Sequence, residues 1–242
     1  MLKKMTACLL FAGAVLGAAD TASAQQTLNF NIGYLAVKGE DARVGAGCSN
    51  CGTDVDVLIA NNDFLTFDID DFNGATVGGE WLVPLGQFAE AGAGLSFYRR
   101  TVPSVYTNYI APNGSEVDQE LRLRMVPIDL TLRVLPLGQR SPLQPYFGAG
   151  LSVINWRYSE FGDFIDFSNG GRTIISGEYV ADGTDTGPVI LGGFRYADGG
   201  LSVGGEVRYR KADGDVGDSF AGSKIDLGGW TYQGTIGFRF GR

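Results

Sequence analysis

The chain of 242 residues contains no histidine. Histidine is the side chain that most often serves as general base in hydrolases and acyl transferases, so its absence argues against those reactions. Carboxylates remain as candidate acids and bases, and Glu80, Glu90 and Glu206 could form such a pair. Their alternative role is ion pairing with arginine. We therefore predict no enzymatic activity and no cofactor.

Lysine is almost as scarce beyond residue 24, where only Lys38, Lys211 and Lys224 occur. A water-facing barrel wall usually carries more lysines than this. Residues 1–24 hold two lysines and one aspartate, so removing them changes the formal net charge from −8 to −9. Phosphate contacts need clustered basic residues that this balance does not supply, so we predict no nucleic-acid partner.

Only one apolar run approaches the length of a membrane helix, and it lies between Ala7 and Ala19. A bilayer requires roughly 20 apolar residues, more than this run provides. The run follows two lysines and precedes Ala22-Ser23-Ala24, the pattern of a secretory signal peptide cleaved after Ala24. A membrane-spanning helix is the alternative. We predict a signal peptide over residues 1–24 and one domain over residues 25–242.

Period-2 alternation of apolar and polar residues, which is typical of strands, recurs eight times with turn residues between. The clearest case is the seventh segment, residues 201–210. Seven of the eight predicted strands lie near residues 28–37, 72–83, 89–97, 120–134, 187–196, 201–210 and 230–240. The remaining one, the fifth, begins near residue 145. Their connections are alternately short and long. The long ones span residues 38–71, 100–118, 159–183 and 213–222.

Short turns on one rim, long loops on the other and an even strand count are typical of outer-membrane barrels. A soluble ligand-binding barrel alternates equally strictly, with its apolar face inward. Three features favour the membrane: glycines and charges share one face, aromatic residues such as Tyr34, Trp81 and Phe97 lie near strand ends, and the chain closes on an aromatic-rich strand. The predicted fold is all-β, an eight-stranded antiparallel transmembrane up-and-down β-barrel with both termini on the periplasmic side.

The segment Pro145-Tyr146-Phe147-Gly148-Ala149-Gly150 opening a strand, and Trp230 to Phe240 closing the chain, resemble the small outer-membrane barrels of the OmpA, OmpX and OmpW type. The resemblance covers the mature chain as a pattern and not as a specific motif. It implies contact with outer-membrane lipid and insertion by the outer-membrane assembly machinery, which in such families recognises the last strand. The residues that would carry this assembly signal are Trp230, Tyr232, Ile236, Phe238 and Phe240. Gly241 and Arg242 follow them, a departure from an aromatic end.

The fourth segment contains a phase slip. Leu121, Leu123 and Met125 are apolar at odd positions, whereas the apolar positions after Pro127 are even. A β-bulge at Val126-Pro127 would explain both the slip and the proline, and two short strands joined by a turn are the alternative. With a bulge, charged residues from five strands would meet inside the barrel. The predicted interior network comprises Glu80, Glu90, Arg122, Arg124, Glu206, Arg208, Arg210 and Arg239.

Two further features lie in the predicted loops. Cys48 and Cys51 form a CxxC in a glycine-rich exported loop without a βαβ context, so we expect a local disulfide, with free thiols as the alternative. The acidic stretch from Asp63 to Asp71 departs from EF-hand spacing, and we expect a solvated loop face and no metal site. Residues 53–62 could be a short helix or irregular.

Three functions remain open. A structural or surface-interaction barrel is the leading one, because the interior of eight strands can be filled by side chains. A narrow channel for small or hydrophobic solutes is second, and it would require a gap in the charged interior. An enzyme with a carboxylate pair is third.

Overall fold

The computed structural model describes residues 25–38, 55–166 and 173–241. Strands dominate, and one short α-helix and one 3-10 helix lie in the connection after the first strand. The elements are β1 Gln26–Val37, α1 Val57–Asn62, β2 Leu65–Thr66, a 3-10 helix Ile69–Phe72, β3 Gly74–Pro84, β4 Ala89–Ile110, β5 Glu116–Val134, β6 Leu143–Asp166, β7 Thr173–Asp198, β8 Leu201–Arg210, β9 Asp213–Asp215, β10 Lys224–Asp226 and β11 Gly229–Phe240.

Eight of these strands close into a ring: β1, β3, β4, β5, β6, β7, β8 and β11. Each pairs antiparallel with the next in the chain, and β1 pairs with β11 to complete the circle, with Gln26 opposite Phe240. The predicted eight-stranded antiparallel up-and-down barrel is therefore confirmed. A closed ring satisfies the backbone hydrogen-bonding groups of every strand without leaving a sheet edge.

One rim of the barrel carries the short connections and both ends of the ring. The turns 85–88, 135–142 and 199–200 lie there, close to Gln26 and Phe240. We call this end the turn rim. Among the described residues, no helix is long and apolar enough to cross a bilayer.

The opposite end is taller on one side than on the other. β4, β5, β6 and β7 have 22, 19, 24 and 26 residues, whereas the other four ring strands have 10 to 12. The parts of the long strands beyond the closed ring, residues 99–110, 116–124, 155–166 and 173–188, are called the extension. The predicted loops 100–118 and 159–183 were therefore wrong over most of their length.

The predicted bulge at Val126-Pro127 is also wrong. β5 pairs with β6 in one unbroken register from Gln119 to Val134. Its pairing with β4 keeps the same register before and after Pro127, which has no N–H to donate to the ladder. The irregularity in this hairpin begins after Val105, near its tip.

The phase slip has another cause, because the same face of β5 meets a different environment at each end. Towards the turn rim Ile128 and Leu130 point outward and are exposed. In the extension Leu123 points inward and is fully buried, and Arg122 and Arg124 lie on the outer surface. Odd positions thus face inward along the whole strand. Apolar residues change from the outer to the inner face near Pro127.

The inner face of the extension holds the main apolar core. The α1 helix, β2 and the β9–β10 hairpin cover it, so the barrel is closed at this end. Gly214 on β9 packs so closely on Trp156 that a β-carbon there would lie 2.4 Å from the indole. Members of this core that are at most 2% exposed include Val57, Leu58, Leu65, Phe72, Tyr98, Leu121, Leu123, Met125, Ile154, Trp156, Tyr158 and Ile225.

Candidate functional site: the filled barrel interior

Below the apolar core, towards the turn rim, the inward positions carry a charged network. Four arginines and four carboxylates from five strands take part in it, and all are buried. They are Glu80, Glu90, Asp129, Arg133, Arg195, Glu206, Arg208 and Arg210. Formal charges therefore balance within the cluster, which reduces the cost of burying each one.

Arg133 on β5 lies at the centre of the network, and its side chain has no exposed surface. Its guanidinium forms ion pairs with Glu80 and with Glu206, the latter at 2.9 Å. Its Cζ lies 4.8 Å from the centroid of the Tyr146 ring, a cation–π contact. A planar guanidinium can donate to several acceptors at fixed angles, which suits a position where side chains from three strands meet.

Arg208 and Arg210 on β8 extend the network towards the apolar core. Both guanidiniums bind the carboxylate of Asp129, and Nε of Arg210 donates a hydrogen bond to Asp129 Oδ1 at 3.1 Å. Arg208 also binds Glu206 at 2.6 Å and Glu80 at 3.3 Å. Because these charge-assisted bonds link three strands across the lumen, they fix the strands to one another as well as filling the space.

At the turn rim, Arg195 on β7 binds Glu90 through two parallel bonds of 3.0 and 2.7 Å. Its Nε donates to Gln144 at 2.7 Å, and Gln144 in turn donates to backbone carbonyls of the turn. The lumen is thus bridged at this end as well. Arg133 reaches Glu90 at 3.8 Å, so this pair joins the central cluster.

Glycines on the inner face provide the room that these long side chains occupy. A β-carbon at Gly92 would lie 2.6 Å from Oγ1 of Thr131 and 2.9 Å from Oε1 of Glu80. Any larger residue would displace the Glu80 carboxylate from its arginines. Glycines and charged residues therefore share one face of the strands because the glycines leave space for the charged side chains.

The structure brings five of the eight residues of the sequence-predicted network together and places the other three apart from them. Glu80, Glu90, Glu206, Arg208 and Arg210 meet inside the barrel as expected. Arg239 is half-buried at the turn rim. No ion pair of Arg239 appears among the described residues.

Arg122 and Arg124 do not belong to the interior, and that part of the prediction is wrong. Arg122 pairs at 3.4 Å with Glu120 on the outer surface. Both arginines face outward because β5 continues without a bulge. Arg124 lies directly opposite Arg99 on β4 and Arg157 on β6.

Sequence reasoning missed Asp129, Arg133 and Arg195. Asp129 and Arg133 lie between outward apolar residues on β5, so strict alternation would have placed them inside. Arg195 stands alone between Phe194 and Tyr196 in a strand whose two faces both seemed apolar. In the sequence, the one indication that Arg195 faces the interior is that it is a single charged residue in an otherwise apolar strand.

A second buried polar group lies in the apolar core of the extension. Glu160 accepts hydrogen bonds from Asn61 Nδ2 at 2.6 Å and from the Tyr158 hydroxyl at 3.0 Å, and no arginine or lysine pairs with it among the described residues. Burial raises the pKa of the Glu160 carboxyl above its ordinary value of 4.5. Burial also raises the pKa of Asp56, which caps α1 through the Leu58 N–H. Both carboxylates help hold α1 over the core.

The remaining predicted residues lie elsewhere. Residues 1–24, Cys48 and Cys51 fall outside the described residues. Residues 57–62 of the undecided segment form α1, and the acidic side chains of Asp63, Asp68, Asp70 and Asp71 are exposed. No group of three or more potential metal ligands occurs among the described residues. The proposed assembly-signal residues lie on β11, where Tyr232, Ile236, Phe238 and Phe240 are exposed on the outer face.

No protein-family model matches the chain, and no curated protein matches it. Solved structures with a similar arrangement include the N-terminal β-barrel domain of Pseudomonas aeruginosa OprF, at 13% identity and a TM-score of 0.41 over 90% of this chain and 99% of that one. Neisserial surface protein A gives 11% identity and a TM-score of 0.43 over 91% and 98%. Ail, the attachment invasion locus protein of Yersinia pestis, gives 8% and 0.42 over 90% and 99%.

Proposed function

We propose that this chain is a non-enzymatic outer-membrane barrel that acts as a structural or surface-interaction protein through its extension. The observation that carries the proposal is the filled interior. A charged network crosses the lumen near the turn rim, and an apolar core closes the other end. Because side chains of both signs fill the described part of the lumen, we expect no continuous aqueous path for an ion to follow. A channel is therefore the weaker alternative.

The outer surface of the ring supports a membrane location. Large apolar residues are exposed around it on all eight strands, a band that would be unfavourable in water. The band includes Leu28, Phe30, Ile32, Val77, Trp81, Leu95, Phe97, Ile128, Leu130, Leu132, Phe147, Leu151, Ile190, Phe194, Leu201, Val203, Ile236 and Phe238. With the signal peptide expected over residues 1–24, this band favours the outer membrane, the turn rim then being periplasmic.

The extension supports the surface role. Its inner face packs on α1, β2 and the β9–β10 hairpin, so it forms a folded platform instead of loose loops. Binding at a preformed surface costs less ordering entropy than binding through flexible segments. In this proposal insertion depends on the assembly machinery acting on β11.

Planar-bilayer recording of the refolded protein tests the closed interior. We expect no steady ion conductance from the wild type. A water-filled porin recorded in the same bilayers is the control, and it should conduct steadily. A steady, ohmic current from the wild type would instead establish the channel.

Epitope insertion tests which end of the barrel faces outward. A short tag inserted after Asn113, at the tip of β4–β5, should bind antibody on intact cells. The same tag inserted after Leu137, in a turn of the opposite rim, is the matched control and should bind only after the outer membrane is permeabilised. The reverse pattern would contradict the proposed orientation.

A further inference from the structure

Three arginines form a row across the outer surface of the barrel. Arg99 on β4 lies opposite Arg124 on β5, which lies opposite Arg157 on β6. Directly opposite residues on neighbouring strands have Cβ atoms about 4.5–5.5 Å apart. The three guanidiniums therefore originate within a patch about 10 Å wide. We call it the arginine row.

The arginine row carries three positive charges and has one carboxylate directly opposite it in the described sheet, that of Asp182. Among the described residues, none of its members forms an ion pair, whereas the neighbouring Arg122 is paired with Glu120. The Nε of Arg124 is shielded from solvent and has no hydrogen-bond partner. Like charges placed directly opposite one another destabilise a sheet. The row therefore carries an energetic cost that an anion would remove.

The position of the row selects the anion. Phe97, an exposed residue of the apolar band, lies two positions before Arg99 on β4 and faces the same side of the sheet. Val126 lies two positions after Arg124 on β5 and likewise faces the same side as that arginine. The arginines thus lie directly beyond the edge of the band that faces lipid tails, at the level where lipid headgroups begin. On one side of the row, Asp182 on β7 is the cross-strand neighbour of Arg157.

We propose that the arginine row binds the phosphate groups of anionic lipid headgroups in the outer leaflet. Guanidinium and phosphate form bidentate, charge-assisted hydrogen bonds, and adjacent arginines can share the oxygens of one phosphate or hold two phosphates side by side. This site goes beyond the proposed surface role and does not depend on it. It rests on the proposed membrane location of the apolar band, and the choice of the outer leaflet rests on the proposed periplasmic position of the turn rim.

Vesicles of two compositions test the site. The full mature chain is refolded into phosphatidylcholine alone and into equal parts of phosphatidylcholine and phosphatidic acid, and its urea midpoint is measured. Because both leaflets carry the same lipid, the direction of insertion does not affect the result. The wild type should gain stability from phosphatidic acid. The variant Arg99→Gln, Arg124→Gln, Arg157→Gln should lose that gain and should be at least as stable as the wild type in phosphatidylcholine, since its like-charge contacts are removed.

The matched control is Arg140→Gln, which removes an exposed arginine at the turn rim and should keep the whole gain. Calorimetric titration of the protein in zwitterionic micelles with dihexanoyl phosphatidic acid gives the affinity, which should fall at least about tenfold in the triple variant. If the triple variant does not fold, the single variant Arg124→Gln is measured in its place and should show part of the same loss.

Two results would overturn the proposal. Equal gains from phosphatidic acid in the wild type and the arginine-row variant would show that the row does not bind lipid phosphate. Equal affinities for inorganic phosphate and for dihexanoyl phosphatidic acid would assign the row to free phosphate instead of lipid.

Discussion

Glu206 offers the sharpest test of the charged network. Its carboxylate binds Arg133 at 2.9 Å and Arg208 at 2.6 Å, and it accepts further hydrogen bonds from Gln233 at 2.9 Å and from the Tyr146 hydroxyl at 3.2 Å. Replacing Glu206 with alanine leaves four buried arginines facing three carboxylates. Breaking a buried ion pair in this way costs about 3–5 kcal/mol. The free energy of unfolding should fall by that amount.

The matched control is Glu120→Ala, which removes a glutamate that also pairs with an arginine, Arg122, but on the outer surface. That pair is about half exposed, and surface pairs contribute roughly 0–1 kcal/mol. Burial alone thus distinguishes the two substitutions. Unfolding in urea, followed by tryptophan fluorescence in vesicles, gives both free energies by linear extrapolation.

A second variant separates charge balance from the loss of packing. Combining Glu206→Ala with Arg133→Met restores equal numbers of buried charges, so the double variant should lose less stability than the two single losses added together, by about 0.5–3 kcal/mol. The reasoning is refuted if Glu206→Ala costs no more than Glu120→Ala. Strict additivity in the double variant would also refute it.

Three further predictions concern other parts of the barrel. Gly92→Ala should destabilise by about 1–3 kcal/mol in the same urea assay because its β-carbon meets Glu80, whereas Gly205→Ala, on the open outer face, should have little effect. Because burial raises the pKa of Glu160, its carboxyl stays protonated to higher pH in the folded state, and stability should fall as pH rises above 4.5 towards that raised value. Glu160→Gln should reduce this loss, the buried Asp56 contributing the rest, and an unchanged pH profile would count against it. The folded barrel should migrate differently on SDS gels before and after boiling, and identical migration of a verified folded sample would contradict the closed ring.

The ring could be predicted from the sequence because alternation, turn residues and loop lengths all depend on local geometry. Residues 201–210 form a strand with the predicted bounds. The extension could not be predicted in the same way. Its polar outer residues suggested loops at 100–118, although its inward residues, such as Val102 and Val117, are buried in apolar surroundings. The strands continue into the extension with the same geometry, but their outward residues are no longer regularly apolar.

The phase slip on β5 shows why. In the proposed membrane orientation, lipid lies outside the ring and charges lie inside it, so apolar residues point outward. Water lies outside the extension and the apolar core lies inside it, so apolar residues point inward there. β6 repeats the change, since Phe147 and Leu151 are exposed whereas Ile154 and Trp156 are buried. Its pairing with β5 has no bulge at this level. A slip of one residue in the apolar pattern of such a strand therefore marks the level at which the solvent changes, and the charged residues beyond it belong to the outer surface.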